Sequence, residues 1–159
     1  MGDAKGKGKT DPKEEKKALT QISGCFGTFE KRMQTRLKLL EDMRLKCELC
    51  ESGKLDPSTL KFDPMQSLKD LEMQFYKDLA SDEKQLNMKL KALQKIDLKN
   101  TSPQFNDQLG KIIKKTTTVK VGKTEFGLDP KAYLKHIEKG MQKGKVDFKF
   151  VPVKLKVEF

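Results

Sequence analysis

FGTFEKRMQTRLKLLEDMRLKCELCESGKLDPSTLKF, residues 26–62, is the stretch whose reading decides the fold. Ile22, Phe26, Phe29, Met33, Leu40, Met43, Cys47 and Cys50 recur in steps of three and four, with Arg36 taking a seam slot beside Leu37. That spacing predicts a long amphipathic helix with a heptad-like apolar stripe. Either Thr20 or Thr28 is expected to cap it, Gly24 and Gly27 weaken its first turns, and Ser52-Gly53 followed by Asp56-Pro57 ends it. A helix burying one stripe alone gains too little to offset its ordering entropy, so other helices must cover the stripe. The expectation is that partner helices do so, packing on Phe26, Phe29, Met33, Leu37, Leu40 and Met43, with Leu60 and Phe62 beyond the turn.

Outward from this helix the pattern stays helical as far as Lys115. Asp63-Pro64 supplies an N-cap with proline in the first turn, opening a second helix with Leu68, Leu71, Phe75, Leu79, Leu86, Leu90 and Leu93 on one face. It is expected to reach about Leu98, with a break near Ser81-Asp82 where the stripe has a gap. Ser102 caps a third helix over 103–115 with Phe105, Leu109, Ile112 and Ile113 turned inward. The period then changes to alternation. Thr116–Val121 and Thr124–Leu128 read as a hairpin around Gly122-Lys123, a two-residue loop of the II′ kind. Asp129-Pro130 starts a helix carrying Tyr133, Leu134, Ile137 and Met141. Val146–Phe159 closes the chain as an extended segment whose parity flips at a bulge beside Pro152, with Lys154 and Lys156 on a solvated face. The fold class expected is mainly α: a coiled-coil or three-helix-bundle module followed by a small α+β module. The boundaries are a disordered basic tail over 1–17, the helical module over 18–115 and the α+β module over 116–159.

Composition bounds the function classes. Hydrophobic residues make up 35% and charged residues 36% of the 159, without tryptophan, so burial borrowed from a partner is expected. The net charge of +11 is concentrated at the C-terminal end: 111–159 holds thirteen lysines against five acids. Lys5, Lys7 and Lys9 in the tail, and Lys114, Lys115, Lys143 and Lys145 near the other end, are the candidate contacts for an anionic partner, whether DNA, a nucleosome or tubulin. No apolar run of about eighteen residues predicts a membrane span, and no apolar signal region opens the chain.

The motifs of catalysis are missing. There is no phosphate-binding glycine loop, no Ser/His/Asp set and no H-E-x-x-H, and His136 is the single histidine. Gly6-x-Gly8 is too short to cradle a phosphate. Cys47 and Cys50 form a C-x-x-C, but zinc needs two more ligands, and an i, i+3 pair of thiols on a seam reads as core. Three cysteines, an odd number, point to a reducing compartment. The expectation is a protein without enzymatic activity, cofactor or metal.

The run Thr28–Arg44 resembles the N-terminal helix of the borealin family, with Phe29, Glu30, Lys31, Arg36, Leu37, Lys38, Leu40, Glu41 and Arg44 carrying the likeness. Leu60-Lys61-Phe62 followed by Leu68 looks like the aliphatic-basic-aliphatic segment after that helix. The resemblance covers roughly residues 25–70; Gly53 and Pro57 depart from it, and the C-terminal module lies outside it. It implies a non-catalytic subunit of the chromosomal passenger complex, bundled with inner centromere protein and survivin, and located at centromeres and the spindle in cell division. Two other readings stand beside it: a basic structural protein of microtubules or the axoneme, and a self-contained helical domain whose seam is filled by its own chain.

Overall fold

The computed structural model describes residues 11–116, 118–151 and 153–158. Helix α1 (Pro12–Glu51) turns back through a 3-10 turn (Pro57–Thr59) into an antiparallel α2 (Pro64–Lys89). Two further 3-10 stretches (Leu90–Lys95 and Leu98–Asn100) lead to α3 (Pro103–Thr116), β1 (Thr118–Val121), β2 (Thr124–Leu128), α4 (Pro130–Lys143) and β3 (Val153–Val157). The strands form one antiparallel sheet in the order β1-β2-β3. The mainly α architecture with a small C-terminal α+β part is therefore as expected. Among the described residues no helix is long and apolar enough to cross a membrane.

Helix α1 begins earlier than the sequence suggests. Asp11 is its N-cap, accepting from Lys13 N at 2.9 Å, and Pro12 sits in the first turn. Residues 12–17, assigned above to a disordered tail, are thus helical; residues 1–10 of that tail lie outside the described residues. Thr20 and Thr28 cap nothing. Their hydroxyls donate to carbonyls one turn back, Lys16 O at 3.0 Å and Gly24 O at 3.1 Å, a use of threonine compatible with a helix interior.

The seam of α1 is filled by this chain, which corrects the partner-helix assignment. Phe26, Phe29, Met33, Leu37 and Leu40 are each no more than 3% exposed. Helix α2 covers one flank of the stripe, α3 and the hairpin the other, and two aromatics from the extended segment 146–150 close it. Phe26 meets Phe148 edge-on with ring centroids 5.8 Å apart, and Phe29 lies 4.8 Å from Phe150. The physical reason is reach: a 40-residue helix is about 60 Å long, enough for α2, α3 and all three strands to pack on it. The seam itself runs through Leu37 and Arg44 rather than Arg36 and Met43; Met43 is half-buried. Because α1 also packs on the sheet, the division at residue 116 does not separate two modules: both parts share one core.

Two polar interruptions explain each other. The gap in the α2 stripe is Asp82, 6% exposed, and it pairs with Arg36, the polar intruder of the α1 seam, and with Arg32 at 3.2 Å. No break occurs there; α2 runs unbroken from Pro64 to Lys89. The stripe beyond Lys89 is carried by 3-10 turns, not by α-helix, up to Lys95.

Glu41 docks the hairpin. Its buried carboxylate takes Arg44 Nε on one side and Lys123 N at 3.1 Å on the other, while Arg44 also donates to Glu48 and, at 3.0 Å, to Glu158 O. Burial works against the Arg44 charge, but the carboxylates of Glu41 and Glu48 outweigh it and hold the guanidinium above its ordinary pKa. The hairpin register pairs Val121 with Thr124, so Gly122-Lys123 is the two-residue loop expected; Gly122 has φ +60 and Lys123 is not in the positive region.

The segment from Val146 to Phe150 is extended without sheet partners. Side chains of α2 replace a neighbouring strand: Phe150 N donates to Glu83 at 3.0 Å, and Asn87 bridges Asp147 and Phe148 N. The Tyr133 hydroxyl donates to Phe148 O at 3.2 Å. The parity flip is present, with Phe148 and Phe150 buried and Val153, Leu155 and Val157 half-buried. The bulge expected beside Pro152 lies outside the described residues. Lys154 and Lys156 are exposed on the edge strand β3, and Leu155 N is met by the Tyr76 hydroxyl at 3.1 Å.

Candidate anion-binding face

With the α1 seam closed, the remaining sequence-predicted contacts are Leu60, Phe62 and the lysines. Leu60 is half-buried. Phe62 is 41% exposed with Lys46 Nζ over its ring, 5.3 Å from the centroid. The other exposed apolar side chains are scattered: Leu45 and Leu49 project from α1 on another side than Leu39, and Met73 and Tyr76 lie on the part of α2 next to β3. Met65 and Met88, both on α2, are exposed as well.

Helices α3 and α4 build the basic face. Asp129 caps α4 through Lys131 N at 3.0 Å, Pro130 opens it, and Gly144 at φ +80 closes it, donating to the carbonyls of Gly140 and Met141. The inward side of α4 carries Tyr133, Ile137 and Met141. Its contact with α3 is close at Gly110, where a methyl group would sit 4.0 Å from Leu134. A groove of about 280 Å³ continues from there between Asn106 and Leu109 on one side and Glu138 and Gln142 on the other. Leu98, Lys99 and Thr101, just ahead of α3, meet the end of α4 at Met141 and Gln142 while Gly110 meets Leu134, so the two helices run antiparallel, with the C-terminal end of α3 (Lys111, Lys114 and Lys115) directed toward the N-terminal end of α4 (Lys131).

From there a row of lysines runs the length of α4. Lys131, Lys135, Lys139 and Lys143 stand four residues apart and all are exposed. Each step is about 6 Å along the axis, so the row spans about 18 Å and drifts by about 40° per step. Lys145 follows the helix, and the Lys99 side chain lies against Gly144, near the negative end of the α4 dipole. Among the described residues, no carboxylate is within ion-pair distance of Lys131, Lys135, Lys139, Lys143 or Lys145. Lys111 pairs with Asp107 at 3.4 Å.

Of the lysines singled out in the sequence, Lys114 and Lys115 sit at one end of this face and Lys143 and Lys145 at the other, so they are not one cluster. Lys5, Lys7 and Lys9 lie outside the described residues. Lys131, Lys135 and Lys139, which join the two ends, were missed by sequence reasoning, although their i, i+4 spacing within the α4 pattern was the signal that finds them.

Other candidate chemistry is accounted for by packing. His136 Nε2 is 2.7 Å from Asp147 O and its ring is stacked on Tyr133, with centroids 6.2 Å apart. Burial drives the Tyr133 hydroxyl well above its ordinary pKa. Cys47 is 1% exposed, and burial pushes its thiol up, as it does that of the half-buried Cys25. Among the described residues no three histidine, cysteine or acidic side chains are gathered as a metal would require. No known protein family, curated protein or solved structure matches this chain.

Proposed function

We propose that this chain is a non-catalytic scaffold that holds a polyanionic partner against the face formed by α3 and α4. The observation that carries the reading is the row Lys131, Lys135, Lys139 and Lys143, exposed and without carboxylate partners among the described residues. Like charges at i, i+4 each cost an isolated helix about 0.2–0.5 kcal/mol. Three such pairs in succession are a burden that a surface role alone does not repay, and a negatively charged partner removes it. The role keeps the general form of the borealin-like expectation, a non-enzymatic subunit in an assembly, but not its α1 docking, since the seam residues are spent on this chain's own core.

The test is retention on immobilised heparin. Wild-type protein is expected to elute at distinctly higher salt than Lys135→Gln/Lys139→Gln, while Lys31→Gln/Lys38→Gln on α1, with the same loss of charge, elutes near wild type. Equal shifts from both pairs would show that net charge, not this face, governs binding, and the proposal would be wrong.

A further inference from the structure

We infer that the polyanion is the phosphate backbone of duplex nucleic acid, gripped without regard to sequence; this rests on the reading of the α3/α4 face above. The two kinds of cation in this chain have different duties. The chain has three arginines, all on α1, and all three are committed to carboxylates: Arg32 and Arg36 to Asp82, Arg44 to Glu41 and Glu48. Every cation on the α3/α4 face is lysine. Protein interfaces are enriched in arginine and aromatics and depleted of lysine, whereas lysine serves phosphate as a point charge.

The face also lacks what reading bases requires. Bidentate recognition of base edges uses arginine, asparagine or glutamine, and the outward row on α4 is lysine at each step. Single strands are held by exposed aromatic rings on which bases stack. Among the described residues the large exposed aromatics are Phe62 and Tyr76, at the α1–α2 turn and on α2 beside β3, away from this face. A duplex backbone needs neither feature.

The dimensions of the row suit a duplex. A row of about 18 Å laid along the duplex axis passes about ten phosphate charges, counting both strands at one per about 1.7 Å. The row turns by about 120° around α4 from Lys131 to Lys143, so its four lysines reach phosphates of both strands rather than following one. The four lysines of the row contribute about −3.6 to the slope of log K against log salt, and the other lysines of the face add to it.

The experiment is fluorescence anisotropy of the full chain with two unrelated duplexes of equal length, one of their single strands, and poly-glutamate as competitor, across a salt series. The expected result is equal affinity for both duplexes, weaker binding of the single strand, a slope at least as steep as about −3.6 that becomes shallower by about 1.8 in Lys135→Gln/Lys139→Gln, and an unchanged slope in Lys31→Gln/Lys38→Gln. Circular dichroism confirms that the exposed substitutions leave the helices intact. A preference between duplexes, or for the single strand, overturns the inference. So does poly-glutamate competing as well as duplex at equal charge, which assigns the face to an acidic protein and leaves the scaffold proposal standing. Binding to neither polymer removes both.

Discussion

Gly24 and Gly122 carry predictions of opposite sign, because a Cβ means different things at the two positions. Gly24 is an exposed helix residue with open space around it, so Gly24→Ala is expected to stabilise by about 0.5–1 kcal/mol through the unfolded state. Gly122 has φ +60, and a Cβ there runs into the Glu41 carboxylate that receives Lys123 N. Gly122→Ala is expected to cost about 1–3 kcal/mol, and urea unfolding of both variants checks the pair. Glu83 gives a pH dependence. Burial raises its pKa, with the Phe150 N–H and Lys149 pulling it down and Asp147 pushing it up. A carboxyl with a raised folded pKa favours the fold below the ordinary carboxylate range and loses that advantage as pH rises through the raised value. Glu83→Gln keeps an acceptor for Phe150 N without the charge, so its Tm at pH 7 is expected to exceed wild type by on the order of 1 °C. The difference should vanish as the medium is acidified; a constant difference across pH would mean that burial of the charge is not its cause.

Between elements, the Arg36–Asp82 pair shows why seam patterns mislead when read one helix at a time. Asp82→Ala leaves Arg36, which is 18% exposed, with only Asp78 at 3.7 Å, and is expected to cost about 1–3 kcal/mol. Replacing both residues by leucine restores an apolar seam and should recover most of the loss; a double-mutant cycle in urea measures the coupling, and simple additivity would mean that the pair is not coupled. Each polar residue was visible in the sequence as an interruption of a stripe, but their pairing depends on the antiparallel register of α1 and α2, which no local pattern contains. The turn residues were more legible. Asp63-Pro64, Ser102, Gly122-Lys123, Asp129-Pro130 and Ser52-Gly53 all lie where their chemistry predicts, because caps and tight turns are decided within a few residues. The start of α1 was not, since Gly24 and Gly27 weaken a helix that the tertiary contacts of Ala18, Ile22 and Glu15 hold together. On the basic face, individual lysines were legible and their continuity was not, because it needs the antiparallel packing of α3 on α4.

At the scale of the whole molecule, Phe150 explains why two halves with different periodicities fold as one. Its ring lies 4.8 Å from Phe29 and from Tyr133, and 6.2–6.3 Å from Phe126 and Phe26, so one side chain of the last extended segment joins α1, β2 and α4. The low hydrophobic content of 35% suggested a core to be completed by partners; this chain instead brings its aromatics from distant positions to a single cluster, and Phe148 and Phe150, which close the α1 stripe, come from more than a hundred residues away in sequence. Phe150→Ala is expected to cost about 3–5 kcal/mol, and to do so in one cooperative transition. The sharper test is a chain ending at residue 115, which retains α1, α2 and α3 but loses Val119, Phe126, Phe148 and Phe150 from the shared core. A helical module independent of the C-terminal part would remain helical with a cooperative thermal melt. The shared core predicts that the truncated chain has low helicity and melts without cooperativity, because the exposed half of the α1 stripe returns too little burial to offset the ordering of the three helices. Circular dichroism of the truncated chain against the full one decides between them.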